Sequence, residues 1–434
     1  MWGGMHWEAW GLVLRTSKSD NGASVSGSRK RRLAVFLPVF GIPSEIWAVR
    51  QCLYMNTFEP VVIAWEKHPS TPEGQFGLDV RYLDQPWSSA NTIWRRASRR
   101  LGWGGAAMDA EEGRRILSIL RDVRPDAALC HFLWTGVRVV GALDLMASEY
   151  GEPWAEHLPI IWHAHGRDVS KSLTEVHFAR SVTRALPRAA GVVAVGSHQL
   201  KRLEALGLSS EQGRLIPCGV PVAEFGVGSV PRRSTKAIRY ISVGRVSPEK
   251  GVLHTIRAFA AVRAAWQHAE LVVVGDGPDL AAAQDLAAEL GVSGAVRFTG
   301  ALDPAHVQFE CSNAHAFVQH SREFDGWVEG FGVSVAEAMA AGLAPVVSGT
   351  GGILDQVQHD INGLIFPPED YDAQAIAMLA LARDESLRFR LAGAARDSAR
   401  RYDAPGQTMQ LEAFIRECVG ERRTLPSHLG GFQP

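Results

Sequence analysis

The chain has 434 residues, of which 46% are hydrophobic and 21% are charged, and its formal net charge is -1. This composition is typical of a globular protein and excludes a disordered or fibrous chain. The length predicts two domains rather than one core. The balanced charge argues against general nucleic-acid binding, and no apolar run approaches the roughly 20 residues that span a bilayer.

Residues 1–30 lack the basic start and long apolar stretch of a secretory signal. We therefore expect them to form a disordered extension. The five cysteines are far apart and form no CxxC pair. A disulfide framework or a zinc site is not expected, and a cytoplasmic location fits this cysteine usage.

Short apolar runs alternate with helical patterns in two successive series. Continuously apolar strands separated by helices predict parallel sheets that are covered on both faces. Residues 221–236, which are rich in Gly, Pro, Ser and charge, are the best linker candidate between the series. The predicted strands are 33–39, 60–65, 126–131, 159–164 and 191–195, then 238–243, 270–275, 295–299, 314–318 and 344–348.

The predicted fold class is therefore α/β, with two Rossmann-like, doubly wound domains that face a central cleft. We expect an N-terminal domain over residues 31–225 and a C-terminal domain over residues 226–403. An amphipathic pattern near the end predicts that residues 404–434 contain a helix that packs back on the body. Ligands of such sheets bind at the carboxyl ends of the strands.

Residues 92–103 combine four arginines with two tryptophans. One interpretation places this segment on an anionic membrane surface, where a lipid-linked substrate would be found. The other is a solvated basic helix whose tryptophans pack into the domain, and we favour it slightly. The first interpretation would put the protein at the inner face of the membrane.

The second series opens with a strand that runs directly into GRVSPEKG, residues 244–251. A glycine after a strand allows close approach of the backbone to a ligand, and a proline suits the first turn of a helix. Arg245 and Lys250 bracket this helix start, where free N–H groups and the helix dipole favour an anion. The pattern predicts a diphosphate site, although a plain turn with solvated charges is the alternative.

Glu329 and Glu337 lie eight positions apart in EGFGVSVAE, the first in a glycine-rich loop and the second in a predicted helix. Carboxylates accept paired sugar hydroxyls, so one could bind a hexose and the other a ribose. Alternatively, one is an ordinary exposed glutamate and the other is stabilised at a helix N-terminus.

The order of residues 244–251, GDGP at 275–278, 329–337 and GGI at 351–353 resembles the retaining glycosyltransferases of family 4, which have the GT-B fold. The resemblance runs from about residue 33 to about residue 402 and is most specific in the second half. It implies that Glu329 and Glu337 contact the donor sugar and the ribose, and that the diphosphate lies against Arg245 and Lys250. The implied donor-binding set is Gly244, Arg245, Lys250, Glu329, Gly330, Phe331, Gly332 and Glu337.

The first half adds a segment, IIWHAHGRD, that is similar to a His-Gly-x-Asp segment in family 4 enzymes of bacterial exopolysaccharide and colanic-acid type. This likeness implies that His165 faces the sugar–phosphate bond and is catalytic together with Glu329. We expect His163 to lie on the opposite face of the strand and to be structural. Glu45 and His131, near other strand ends, are the acceptor-site candidates. Ser197 resembles a family serine, but a helix cap explains it equally well.

The chain departs from the family pattern at three places. The first glycine-rich loop is replaced by VFGIPS at residues 39–44, so the resemblance does not place the acceptor. Asp355 stands after Leu354 where a Pro-Glu pair is common, and Pro221 replaces an aspartate that often follows Cys-Gly-Val.

The resemblance implies transfer of a hexose, with retained configuration, from a nucleotide-diphosphate sugar to a sugar hydroxyl of a saccharide. We expect that saccharide to be polyprenyl-diphosphate-linked, and the process to be bacterial surface polysaccharide biosynthesis. No metal or cofactor is expected, because the two cations already neutralise the diphosphate. The alternatives are a catalytically silent sugar-nucleotide-binding protein and a nucleotide-sugar epimerase. The sequence does not identify the sugar, the nucleotide base or the oligomeric state. We expect loop contacts around residues 321–327 to select the donor.

Overall fold

A computed structural model describes residues 30–83, 110–150, 154, 157–226 and 237–420. The first domain contains a seven-stranded, all-parallel sheet in the order β3-β2-β1-β4-β5-β6-β7. Its strand order reverses between β1 and β4, which opens a crevice at their carboxyl ends. The strands are β1 Arg31–Phe40, β2 Phe58–Lys67, β3 Asp79–Tyr82, β4 Ala127–His131, β5 Ile160–Ala164, β6 Ala189–Ala194 and β7 Gly213–Leu215.

The second domain contains a six-stranded parallel sheet in the order β10-β9-β8-β11-β12-β13. Its order reverses between β8 and β11, so a second crevice forms at the ends of those two strands. The strands are β8 Ile238–Val243, β9 Ala269–Val274, β10 Val296–Gly300, β11 Ala316–Gln319, β12 Ala344–Ser348 and β13 Leu364–Phe366.

Helices cover both faces of each sheet, and each face buries its own apolar cluster. The described helices of the first domain are α1 Ile46–Tyr54, α2 Ala110–Val123, α3 Leu133–Tyr150, α4 Val176–Ala185 and α5 Ser197–Glu204. The others are α6 Val222–Gly226, α7 Val252–Ala265, α8 Leu280–Glu289, α9 Pro304–Ser312, α10 Val333–Ala340, α11 Tyr371–Arg383, α12 Glu385–Ala399 and α13 Ala404–Cys418.

These two sheets confirm the predicted α/β class and the predicted central strands, whose ends differ by at most two residues. The prediction missed β3, β7 and β13, which are short strands at sheet edges. Edge strands are half solvated, and β3 alternates exposed and half-buried residues, so they lack the continuous apolar run that identified the central strands.

Several sequence predictions fall outside the described residues. They concern residues 1–29, the arginine-rich segment 92–103 and most of the linker candidate 221–236. The start of that linker is not irregular: α6 occupies Val222–Gly226 and buries Phe225 in the second domain. Within the described part of the chain, no helix has the length and apolar character required to cross a membrane.

The chain returns to the first domain through α13. The N–H of Val220 donates to the carbonyl of Tyr402 at 2.8 Å, and the N–H of Ala404 donates to the carbonyl of Val220 at 2.9 Å. The two segments that connect the domains therefore run side by side. Helix α13 then packs Leu411 and Phe414 against the first sheet. The last helix is therefore part of the first domain's core.

A single carboxylate anchors that helix. Glu412 Oε1 accepts backbone N–H bonds from Asn56, Thr57 and Phe58 at 2.9, 2.8 and 3.1 Å. The Thr57 hydroxyl donates to the same oxygen at 2.9 Å, so removal of this buried carboxylate would take the acceptor from four donors. We expect Glu412→Ala to lower the free energy of unfolding by about 2–4 kcal/mol, measured by urea denaturation. Met409→Ala, at an exposed position of the same helix, is the matched control, and equal losses would contradict this role.

Candidate functional site

Two glycine-bearing loops form one backbone platform at the carboxyl ends of β8 and β9. Gly244 donates its N–H to the carbonyl of Val274 at 3.0 Å, and Val246 donates to Asp276 at 2.9 Å. A β-carbon on Gly275 would lie 1.9 Å from the carbonyl oxygen of Gly244. The motifs at 244–251 and 275–278 therefore lie together because only glycine allows this approach.

The two predicted phosphate-binding cations lie beside this platform in different environments. Arg245 has a 59% exposed side chain and pairs with Glu249 at 2.8 Å. Lys250 is largely buried, with Nζ 2.5 Å from Glu329 Oε2 and 5.2 Å from the ring centre of Trp327. Helix α7 begins directly after Lys250, so its free N–H groups add to an anion-attracting surface.

Glu329 is the central buried carboxylate of the second domain. Besides Lys250, its Oε2 accepts hydrogen bonds from Gln319 Nε2 at 3.2 Å and Ser321 Oγ at 3.1 Å. Ser334 in turn holds the Gln319 amide at 2.9 Å. The sequence analysis did not predict Gln319 as a site residue, and it included Ser321 only in the segment expected to select the donor. Their position at the end of β11 is the signal that could have found them.

Glu337 lies apart from this network, one turn into α10. Its nearest cation is Arg50 on α1 of the first domain, with Nη1 3.9 Å from Oε1. Burial raises the pKa of Glu337 to about 7; Arg50 opposes that rise, and the nearby Glu224 adds to it. The two glutamates of the motif therefore face different partners, and Arg50 is a site residue that the sequence did not indicate.

Phe331 contributes to this region through its backbone. Its side chain is buried in an apolar cluster and meets Tyr402 edge-on, with ring centres 5.2 Å apart. Gln356 donates a hydrogen bond to the Phe331 carbonyl. The aromatic ring thus holds the glycine loop in place from behind, and a donor contact at this position would have to come from the main chain.

Three histidines meet at the carboxyl ends of β4 and β5. His131 lies opposite His163 in the strand register, and His165 follows His163 by two residues. Side chains two apart on an extended chain point to the same face, so the prediction that His163 lies on the opposite face is wrong. The ring centres of His163 and His165 are 4.2 Å apart, and His131 Nδ1 is 2.9 Å from His165 Nε2.

Burial keeps these rings uncharged. It lowers the pKa of His163 to about 3 and holds the pKa values of His131 and His165 well below the usual range, and the neighbouring rings lower those two further. Trp47 of α1 covers His165 with ring centres 4.0 Å apart, a neighbour that the sequence did not reveal. His131 is fully buried behind His165, and its acceptor role stays a prediction.

Asp168 shapes the loop that carries His165. It accepts backbone N–H bonds from Leu133 at 3.0 Å, His165 at 3.2 Å and Gly166 at 2.8 Å. Burial raises the pKa of Asp168 despite these bonds. Burial raises the pKa of Glu45 to about 7, and the negative charge of the nearby Asp168 adds to this rise. Glu45 therefore belongs to the same end of the first sheet.

The two domains touch at this same end. A β-carbon on Gly330 would lie 2.1 Å from the carbonyl oxygen of His165, so the glycine loop of the second domain rests on the histidine loop of the first. Asp355 accepts from the N–H and hydroxyl of Ser197 at 2.8 and 2.6 Å, so the residue that departs from the family pattern binds the start of α5. Lys171 and Asp325 form a further ion pair between the domains.

Two family models match the chain. The model described as "Glycosyl transferases group 1" matches residues 230–398, and the one described as "Glycosyltransferase Family 4" matches residues 58–224. Together they span most of the chain and correspond to its two domains. Each domain is therefore similar to a glycosyltransferase domain, and the first domain resembles that of family 4.

Curated relatives support this family. The GDP-mannose-dependent alpha-(1-6)-phosphatidylinositol monomannoside mannosyltransferase of Mycobacterium tuberculosis is 30% identical over 247 residues, covering 54% of this chain and 63% of the relative. The amylovoran biosynthesis glycosyltransferase AmsK of Erwinia amylovora is 24% identical over 223 residues, covering 51% and 54%. The matches thus span less than two thirds of the length of these relatives.

Solved structures confirm the fold of this chain. Anabaena HepE, solved in complex with UDP, superposes with a TM-score of 0.70 at 17% identity, covering 89% of this chain and 100% of HepE. Sucrose-phosphate synthase from Thermosynechococcus elongatus gives 0.69 at 17% identity, covering 89% and 99%. The predicted GT-B arrangement of two Rossmann-like domains is therefore confirmed.

The Gly330 contact generates a prediction. In Gly330→Ala the new methyl group would meet the backbone of His165, so the two loops must separate. Because a misplacement near 1 Å in a catalytic site costs on the order of 100-fold, we expect a loss of that size in kcat/KM for sugar transfer. Gly393→Ala in α12 meets nothing within 4 Å and is the control. Equal activity of the two variants would show that the contact between Gly330 and His165 is not required for transfer.

Proposed function

We propose that this protein is a retaining glycosyltransferase that moves a hexose from a nucleotide-diphosphate sugar to a sugar hydroxyl of a lipid-linked saccharide. The process would be surface polysaccharide biosynthesis. One observation carries this proposal: the loop of Glu329, whose carboxylate pairs with Lys250, lies directly against the loop of His165 in the first domain. Cations, a sugar-binding carboxylate and a neutral imidazole thus share one cleft.

Arg245, Lys250 and the N-terminus of α7 would hold the donor's diphosphate. Lys250 is fixed between the Glu329 carboxylate and the Trp327 ring, so little reorganisation is needed when charge develops on the leaving group. Arg245 is exposed and can swing towards a bound phosphate. HepE, solved in complexes with UDP and UDP-glucose, supports a nucleotide-sugar donor.

Glu337 would accept the ribose hydroxyls, as the family resemblance implies. Its pKa of about 7 means that a bound donor must favour the ionised form, which a pair of ribose O–H donors does. Arg50 reaches Glu337 from the opposite domain. Donor binding at Glu337 would therefore be linked to closure of the cleft, which excludes water that could hydrolyse the donor.

In the reaction, the bond between the anomeric carbon and the diphosphate oxygen breaks, and the acceptor hydroxyl oxygen bonds to that carbon on the same face. The hydroxyl proton passes to the departing diphosphate. Glu329 would position the hexose, and His165, uncharged because it is buried, would hydrogen-bond a donor hydroxyl near the reacting carbon. Glu45, at the same sheet end, would contact the acceptor.

The acceptor class rests on the named relatives. One is named for a phosphatidylinositol monomannoside substrate, and another for amylovoran biosynthesis. The first name contains a lipid-borne sugar and the second a polysaccharide, and the proposed acceptor, a saccharide on a lipid, combines the two. Such an acceptor would be met at the inner face of a membrane.

A thermal-shift screen against UDP-, GDP- and ADP-sugars tests the donor site. At 100 times Kd, binding stabilises a protein by about 2.7 kcal/mol, which corresponds to a rise of roughly 3–7 °C in Tm for an unfolding unit of about 200–400 residues. We expect one donor class to give this rise, and Glu337→Ala and Arg245→Ala to abolish it. Arg239→Ala, which removes an arginine paired with Glu270 at the other end of β8, is the matched control.

If no donor of the panel raises Tm, the proposed donor site is contradicted, because a transferase must bind its donor. A rise in Tm without any donor turnover would favour the silent sugar-nucleotide-binding protein. Acceptor-dependent release of the nucleoside diphosphate separates a transferase from an epimerase. Conversion of the donor without any acceptor would sink the transferase assignment.

We expect transfer to persist in EDTA. Two protein cations and a helix N-terminus occupy the place where a divalent ion would otherwise neutralise the diphosphate. The measurement is the initial rate of product formation in chelator-treated protein with and without EDTA. Complete loss of activity that added Mg²⁺ restores would contradict metal-independent transfer.

A further inference from the structure

We propose that His131, His163 and His165 form a binding site for a divalent transition-metal ion of the zinc class. Among the residues that the structure describes, they are the one group of three or more potential metal ligands whose donor atoms converge, and these atoms all lie within 4.8 Å of one another. Imidazole nitrogens suit zinc, copper and nickel, and calcium and magnesium prefer oxygen.

The second observation is the state of the ring nitrogens. His131 Nε2, both nitrogens of His163 and His165 Nδ1 are buried and have no hydrogen-bond partner in the described structure. Buried polar atoms are normally paired, because leaving them unpaired costs free energy. Each uncharged imidazole keeps one lone pair. One ion can accept the lone pairs of all three rings, which a hydrogen bond between two of them cannot do.

The spacing of the rings is compatible with such an ion. Zinc–nitrogen bonds are about 2.0–2.1 Å long, so three ligand nitrogens around one zinc lie about 3.4 Å apart. The ligand atoms lie at most 4.8 Å apart, so a pair at that limit would have to close by about 1.4 Å. Ring rotation provides such a shift. Three protein ligands leave a fourth position open, as in zinc sites that exchange ligands.

The site has a consequence for transfer, and this part rests on the proposed function. An ion bound to His165 occupies the ring that would otherwise face the donor sugar. The ion would therefore inhibit donor binding, which agrees with transfer that needs no metal. The ion would enter from the cleft, where His165 is the least buried of the three rings and Trp47 covers it.

The test uses the full chain without a polyhistidine tag, stripped of metal with a chelator. We expect one Co²⁺ per chain with the intense visible absorption of tetrahedral cobalt, and one Zn²⁺ per chain by calorimetry. Loss of a supporting group outside the ligand set costs 10–100-fold in metal affinity, so loss of a ligand in His163→Gln should cost at least about 100-fold. His254→Gln is the matched control. The ring centres of His254 and His320 are 4.8 Å apart, and within the described part of the chain no third histidine joins this pair.

Absence of stoichiometric binding to the wild-type chain would overturn the site, and that result does not depend on any variant folding. Equal affinity in wild type and in His163→Gln of unchanged circular dichroism would overturn it as well. Zinc should reduce the donor-induced rise in Tm of the wild type and not that of His163→Gln. If zinc binds and the donor shift is unchanged, the inhibitory role is wrong. If no donor shifts Tm at all, the proposed function fails separately from the metal site.

Discussion

At the seam between the domains, the α-carbon of Gly330 lies against the carbonyl of His165 with no space for a side chain. Neighbouring glycines make the same kind of approach: β-carbons on Gly196 and Gly352 would lie 2.5 and 2.2 Å from the Gly330 carbonyl oxygen. The distance between the two sheets at the cleft is therefore set by backbone contact. The position of the His165 loop relative to the Glu329 loop depends on that close approach.

The two motif carboxylates, Glu329 and Glu337, are both largely buried, and each has a cation that offsets the free-energy cost of burying its charge. Glu329 lies in the second domain with its cation, Lys250, and two neutral donors beside it, so it needs nothing from the first domain. Among the described residues, the ion-pair partner of Glu337 is Arg50, which comes from the first domain and lies 3.9 Å away. Removing one partner of a buried pair leaves an uncompensated charge. Of the two motif carboxylates, Glu337 is thus the one whose environment depends on how the domains meet.

Much of the fold could be predicted because parallel strands covered on both faces are continuously apolar, and that pattern is local. The central strands of both sheets follow it, and the glycine motifs mark their carboxyl ends. The edge strands β3, β7 and β13 do not, since one side of each is free of a neighbouring strand. Helix α6 was hidden for a related reason: a five-residue helix is too short for a periodic pattern, and its core contact is tertiary.

By itself the sequence determined the two α/β domains and singled out Arg245, Lys250, Glu329 and Glu337 as candidates, because strand periodicity and glycine-bearing turns are encoded within short segments. Only the tertiary structure decided which groups surround them. Arg50 and Trp47 stand far from the motifs in the chain, and neither has a distinctive local pattern. The histidine cluster arises from the register of β4 against β5, a pairing between segments some 30 residues apart. Such contacts depend on how elements pack, which no local pattern records.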